Sequence, residues 1–196
     1  MNVELLIVNI SKHISLTAEE IEFFTSLLKI KSLANGEFLL REGDICKYES
    51  FVIKGCVKTY YIGEDGLEHI IDFSIEEWWA DDLYSLLTQT PSKTTIKAIE
   101  DTEVLQISKP DLELLYQKVP KFERFFRIIM QNAYIREQLR VIQTLSLSAE
   151  ERYRIFLDKY PQVAKLVTQK QIASYLGITP EFLSMIRANK AGKTIS

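Results

Sequence analysis

"EEWWADDLYSLLTQTPSKTTIKAIEDTEVLQIS", running from Glu76 to Ser108, decides how the first half of the chain folds. Leu83 to Leu87 offers one helical turn, Pro91 sits in a polar loop, and "TTIKAI" and "EVLQI" have the β-branched and apolar content of strands. With the strand-like runs upstream, this spacing predicts a compact antiparallel sandwich or barrel with one helical turn before its last strands. Trp78 and Trp79 point to opposite faces of an extended segment. One is expected to pack in the roll and the other to cover a neighbouring element, the alternative being an aromatic wall for a ligand.

Upstream, Thr17 stands three residues before Glu20, the spacing of a reciprocal helix cap, and Ile21, Phe24, Leu27 and Leu28 recur at helical spacing. After Asn35-Gly36 come "EFLLREGD", "YESFVIKG", "CVKTYYIGEDG" and "LEHIIDFS", short strand-like runs punctuated by turns. Asp65-Gly66 is a hairpin signal, because both residues tolerate positive φ. These runs extend the roll over residues 1–120.

Downstream of Pro110 the pattern becomes helical. In "KFERFFRIIMQNAYIREQLRVIQTLSL", alternating steps of three and four pick out Phe125, Ile128, Asn132, Ile135, Leu139 and Ile142, a coiled-coil seam. A second apolar line of Phe122, Phe126, Ile129 and Ala133 is free to pack on the roll. The spacing predicts a homodimer through residues 121–146, with Asn132 facing its twin. The alternative is a long helix packed wholly on its own domain.

The last part, residues 147–196, reads as helical throughout. Ser148 and Glu151 cap a helix that ends near Tyr160-Pro161. "TQKQIASYLGITPEFLSMIR", Thr168 to Arg187, then has the form of a helix-turn-helix. Thr168 caps a helix burying Ile172, Ala173 and Leu176; Gly177 permits the turn; Thr179-Pro180-Glu181 starts a second helix with Leu183 and Ile186 inward. Glu181, Ser184, Met185 and Lys190 point outward, with Arg187 near one edge. Thr168, Gln169 and Thr179, at helix starts, are placed for phosphate contact. A helical hairpin with no DNA partner is the alternative.

Charge follows the same division. Residues 1–120 hold 21 acids and 11 bases, residues 121–146 hold 2 and 5, and residues 147–196 hold 4 and 8. A basic C-terminal part suits a polyanion, whereas the acidic front would be repelled by one. No apolar run is long enough for a membrane helix, and "ELLIVNI" lacks the flank and cleavage site of a signal peptide, so a cytoplasmic location is expected. Cys46, Cys56, His13 and His69 are isolated from one another in sequence, so no metal site is expected. With no nucleophile–base pattern and no Walker loop, neither an enzyme nor a bound cofactor is expected.

Taken in order, these pieces resemble the Crp/Fnr family of bacterial transcription regulators over about Thr17 to Asn189. The fold implied is α+β: an N-terminal antiparallel β-roll (a double-stranded β-helix), a long dimerisation helix and a C-terminal helix-turn-helix domain. By this resemblance the segment around Asp81, Asp82, Leu83, Ser92, Lys93 and Thr94 is the effector pocket. The family there uses Gly-Glu for a ribose and Arg-Ser for a cyclic phosphate; this chain has Asp81-Asp82 and Ser92-Lys93. The guanidinium is missing and a carboxylate is added, so the effector is expected to be unknown and not classical cyclic AMP. By the same resemblance Glu181 accepts from a cytosine amino group. Met185 stands where relatives usually carry an arginine, so a changed operator is expected. Double-stranded DNA, a second copy of the chain and RNA polymerase are the implied partners. Two cysteines cannot supply the four ligands of an iron–sulfur sensor. A ligand-binding or interaction module that keeps the helix-turn-helix without reading DNA is the alternative function.

Overall fold

The structure is a computed structural model describing residues 3–193, with side chains to Asn189. Two helices, α1 (Glu4–Ser11) and α2 (Ala18–Ser26), precede the strands β1 (Lys29–Leu33), β2 (Phe38–Leu40), β3 (Tyr48–Lys54), β4 (Cys56–Ile62) and β5 (Glu68–Ile75). The short helix α3 (Leu83–Thr88) leads into β6 (Thr95–Ala98) and β7 (Thr102–Ser108). Six helices complete the chain: α4 (Lys109–Lys118), α5 (Lys121–Ser146), α6 (Ala149–Lys159), α7 (Pro161–Leu166), α8 (Gln169–Leu176) and α9 (Pro180–Lys193). Among the described residues, no helix is long and apolar enough to cross a membrane.

All named strand pairs are antiparallel and form two sheets, ordered β1-β7-β3 and β2-β6-β4-β5. Between the sheets lies a core that includes Leu33, Val52, Val57, Ile96 and Val104. The β4–β5 hairpin closes at Gly63–Gly66, where Gly66 has φ +74° and the Gly63 amide donates to the Leu67 carbonyl at 2.9 Å. That is the turn expected at Asp65-Gly66.

Both sheets are buried on their outer faces as well. Phe51, Leu105 and Ile107 meet Leu6 and Ile10 of α1, Phe24 of α2, Leu115 of α4, and Phe122, Phe125 and Phe126 of α5. On the other sheet, Cys56, Tyr60, Ile70 and Phe73 meet Phe156, Ile172, Leu176 and Leu183 of the C-terminal helices. Thus β4 serves two cores by alternation, with Val57 turned into the roll and its neighbour Cys56 turned out.

Several expectations need correction. The first amphipathic helix stops at Ser26, and Lys29–Leu33 is a strand paired with β7, although "SLLKI" continues the helical apolar pattern. Helices α1 and α7 had no counterpart in the sequence reading. Phe125 was placed in the seam between protomers, but it is fully buried in its own subunit, with ring centroids 5.1 Å from Phe126 and 6.2 Å from Trp79. Phe125 is therefore not available to a seam between protomers. The inward line of Phe122, Phe126 and Ile129 does pack against the roll-side core.

Phe125→Ala is expected to lower stability by about 3–5 kcal/mol, the usual cost of an aromatic cavity in a core. Urea unfolding at two protein concentrations checks this, because loss of a dimer contact alone would vanish at high concentration.

Candidate sensor cavity and nucleic-acid interface

The helix-turn-helix is built by local capping. The Thr168 hydroxyl accepts from the Gln171 amide at 3.2 Å, and the Gln171 side-chain oxygen accepts from the Thr168 amide at 2.8 Å. Gly177 ends α8 at φ +66°, a conformation glycine adopts without strain, and the Ile178 amide donates to the Ala173 carbonyl at 3.0 Å. The Thr179 hydroxyl then accepts from the Phe182 amide at 3.2 Å and starts α9. Ile172, Ala173, Leu176, Leu183 and Ile186 are all buried.

On the outer face of α9, Glu181, Ser184, Met185 and Arg187 are exposed, as expected; the side chain of Lys190 lies outside the described residues. Phe182, which the sequence reading did not single out, is exposed beside them. Thr168 and Thr179 are exposed caps. Gln169 is partly buried, and its side-chain oxygen has no hydrogen-bond partner among the described residues.

At the opposite end of the chain's logic, a cavity of about 730 Å³ lies between the roll and α5. Asp81, Asp82, Leu83 and Thr94 line it; Ser92 and Lys93 do not. Asp82 caps α3 by accepting from the Ser85 amide at 3.0 Å, and its other oxygen accepts from the hydroxyls of Ser92 and Thr94. Its acceptor capacity is thus spent on closing the loop, not held ready for a ribose hydroxyl. Ser92, 3% exposed, belongs to the same closure through its amide on the Asp44 carbonyl at 2.8 Å. Lys93 is exposed to solvent, so it supplies no charge to the cavity.

The two tryptophans divide as alternation requires. Glu77, at φ +70°, turns the chain before them. Trp79 packs edge-on to Phe51 and Phe126, while Trp78 meets Tyr160, between α6 and α7, and lies under the Arg136 guanidinium at 5.2 Å. Both also line the cavity, so the packing role and the wall are the same residues.

Arg136 links this cavity to the helix-turn-helix. It pairs with Asp72 of β5 at 3.0 Å, and Asp72 also accepts from the Phe73 amide at 2.9 Å. Burial pushes the Asp72 carboxyl up, while Arg136 opposes that shift. One turn on, Arg140 donates to the Ile71 carbonyl and stacks over Tyr175 of α8 at 4.6 Å. Next to it the Ser174 hydroxyl accepts from the Ile70 amide at 2.9 Å and donates to the Glu68 carbonyl at 2.6 Å. None of these contacts was read from the sequence.

A β-roll with a cavity against a long helix, followed by a helix-turn-helix, is the arrangement that the comparisons with known proteins have to match. Residues 30–119 match the model of the cyclic nucleotide-binding domain. The transcriptional activator protein Anr of Pseudomonas aeruginosa is 26% identical over 185 residues, which cover 88% of this chain and 75% of that protein. The fumarate and nitrate reduction regulatory protein of Vibrio cholerae is 27% identical over 169 residues, covering 80% of this chain and 66% of that one. The structure of FixK2 from Bradyrhizobium japonicum superposes with a TM-score of 0.75 at 20% identity, over 86% of each chain. In its sequence relatives and in its fold the chain is similar to transcription regulators of the Crp/Fnr type.

Ser174→Ala removes both bonds between α8 and β5. Exchange of the Ile70 amide, followed by NMR in D₂O, is expected to accelerate about tenfold or more, since a lost buried hydrogen bond costs about 1–3 kcal/mol.

Proposed function

We propose that the chain is a homodimeric, sequence-specific DNA-binding regulator whose β-roll reads a small-molecule signal other than a cyclic nucleotide. Residues 1–120 sense, residues 121–146 join two protomers, and residues 147–196 read DNA, in the cytoplasm and beside RNA polymerase. The observation that carries this reading is the outer face of α9, where Glu181, Ser184, Met185 and Arg187 are exposed on a helix anchored by Leu183 and Ile186. Two such helices in a dimer meet successive major grooves.

Glu181 accepts from a cytosine amino group, and Met185 offers an apolar contact suited to a thymine methyl. Thr179, whose hydroxyl caps α9, stands beside the first free amides of that helix, where a backbone phosphate is held. The dimer seam runs from Ile128 and Asn132 through Ile135, Leu139 and Ile142, and the last three are about half exposed in the protomer. Leu145, 83% exposed, extends the same face. Loss of that much apolar surface to water needs a partner helix.

The signal reading rests on chemistry at the cavity. Asp82 is occupied by three protein donors and Lys93 faces solvent, so nothing there neutralises a cyclic phosphate. A signal bound against α5 acts on Arg136, and through Arg140 and Ser174 on the seating of α8.

Ile135→Glu is expected to give a monomer by light scattering and to weaken binding to a selected duplex by at least about tenfold, because two half-sites no longer act together. An unchanged dimer mass would overturn the seam. Glu181→Ala is expected to change the base preferred at one position of each half-site in a selection from random duplexes, whereas uniform weakening across all sequences would remove its reading role.

A further inference from the structure

Six carboxyl-bearing residues line the 730 Å³ cavity against a single guanidinium, that of Arg136. Four of the six are engaged: Asp72 with Arg136, Glu77 with Lys12 at 2.7 Å, Asp82 with its three donors, and Glu137 beside Arg136 and Arg140 at 3.6 and 3.7 Å. Glu49 and Asp81 have only each other. Glu49 is 4% exposed, on the β3 face that carries Phe51, and among the described residues no lysine, arginine or amide reaches it. The neighbouring Trp79 adds an indole N–H that is buried without an acceptor.

A buried carboxyl hydrogen-bonded to a second carboxyl is driven toward its protonated form. Burial, and then the charge of Asp81, push Glu49 well above the usual carboxylate range; burial also raises Asp81, although the hydrogen bond from Glu49 opposes the rise. Of the two, Glu49 is the carboxyl that favours the proton, and the hydrogen bond runs from it to Asp81. The other titratable groups facing the pair are Cys46, Asp82 and Tyr116, and burial raises both the Cys46 thiol and the Tyr116 phenol, so no cation comes from them. Purely as packing, such a pair is worse than two apolar side chains. What it offers is a place where a charged donor can replace a shared proton.

We propose that the cavity binds an organic cation, a primary ammonium on an apolar or aromatic body, with the ammonium between Glu49 and Asp81 and the body against Trp78, Trp79 and Phe126. The proposal rests on the sensor reading above and names its ligand class. An ammonium brings three donors to the two carboxylates, and the indole faces favour a cation beside them. The lining carries more carboxyls than cations, which disfavours an anion such as a cyclic nucleotide.

The step conserves protons simply: the amine enters as R–NH₃⁺, Glu49 gives up its proton to solvent, and both carboxylates then accept from nitrogen. The sign follows. A raised folded-state pKa means the free protein loses stability as pH climbs from the ordinary carboxylate range through that raised value, and amine affinity grows over the same window.

Calorimetry of the full chain with 2-phenylethylamine and tyramine, in two buffers of different ionisation enthalpy, tests this at neutral pH. Saturable binding with release of about one proton per amine is expected. Glu49→Gln and Asp81→Asn are expected to weaken it by at least about tenfold while folding normally by circular dichroism, since either change relieves the buried pair. Binding of 3-phenylpropionate or cyclic AMP as tight as the amines, absence of proton release, or unchanged affinity in Glu49→Gln overturns the proposal. Duplex binding of the unliganded protein is measured alongside. A protein that binds DNA but no amine loses the ligand class and keeps the regulator reading; one that binds amines with proton release but no DNA keeps the site and loses that reading.

Discussion

Strand β5 is an edge. It ends the sheet β2-β6-β4-β5, so one row of its amides and carbonyls has no strand to pair with, and an uncovered edge invites pairing with other chains. This protein covers it with side chains from two other elements. Ser174 of α8 satisfies Ile70 and Glu68, Arg140 of α5 satisfies Ile71, and Arg136 holds the Asp72 carboxylate beside them. The long helix and the helix-turn-helix thus both make polar contacts with the same few residues of one strand, beside their apolar packing on the roll. Removing either partner of the Arg136–Asp72 pair strands a charge in a mostly buried setting, which costs far more than the pair contributes. Strand β5 thus makes polar contacts with both α5 and α8.

Much of the fold was legible in the sequence where local chemistry dictates it. Thr17 with Glu20, Ser148 with Glu151, and Thr168 at the start of α8 all cap as their spacing requires, because a cap is satisfied within four residues. Asp65-Gly66 closes its hairpin for the same reason. What was not legible depends on partners far along the chain. Lys29–Leu33 looks like the tail of a helix and becomes a strand because β7 is there to receive it. Phe125 fits a coiled-coil register and is taken instead by Phe122, Phe126 and Trp79. Helical periodicity reports that a side is apolar; it does not report which neighbour covers it.

The candidate site divides along the same line. The outward residues of α9 follow from the geometry of one helix and could be listed from the sequence. The cavity could not, since Asp82 and Ser92 were matched to ligand-holding positions while the folded chain uses them to close their own loop. Glu49 carried no sequence signal at all: it is one acid in an acidic half, and only its burial against Asp81 gives it meaning. A motif names the positions from which a family builds a site, but the free valences at those positions belong to the individual fold.

The basic balance of the C-terminal part has to be apportioned in the same way. Of the arginines in residues 121–196, Arg136 and Arg140 are consumed by β5, and Arg152 donates to the Thr144 carbonyl at 3.0 Å and the Leu176 carbonyl at 3.2 Å, tying the ends of α5 and α8. These cations act at helix ends and a strand edge, where a positive charge meets exposed carbonyls. Among the described side chains of α6 to α9, Arg154, Lys159, Lys165, Lys170 and Arg187 are left exposed. The attraction of the basic part for the acidic roll is thus already spent inside the protomer. On the proposed DNA-binding reading, counterion release draws on exposed side chains such as these, so the salt dependence of binding falls short of what the formal charge of the segment implies.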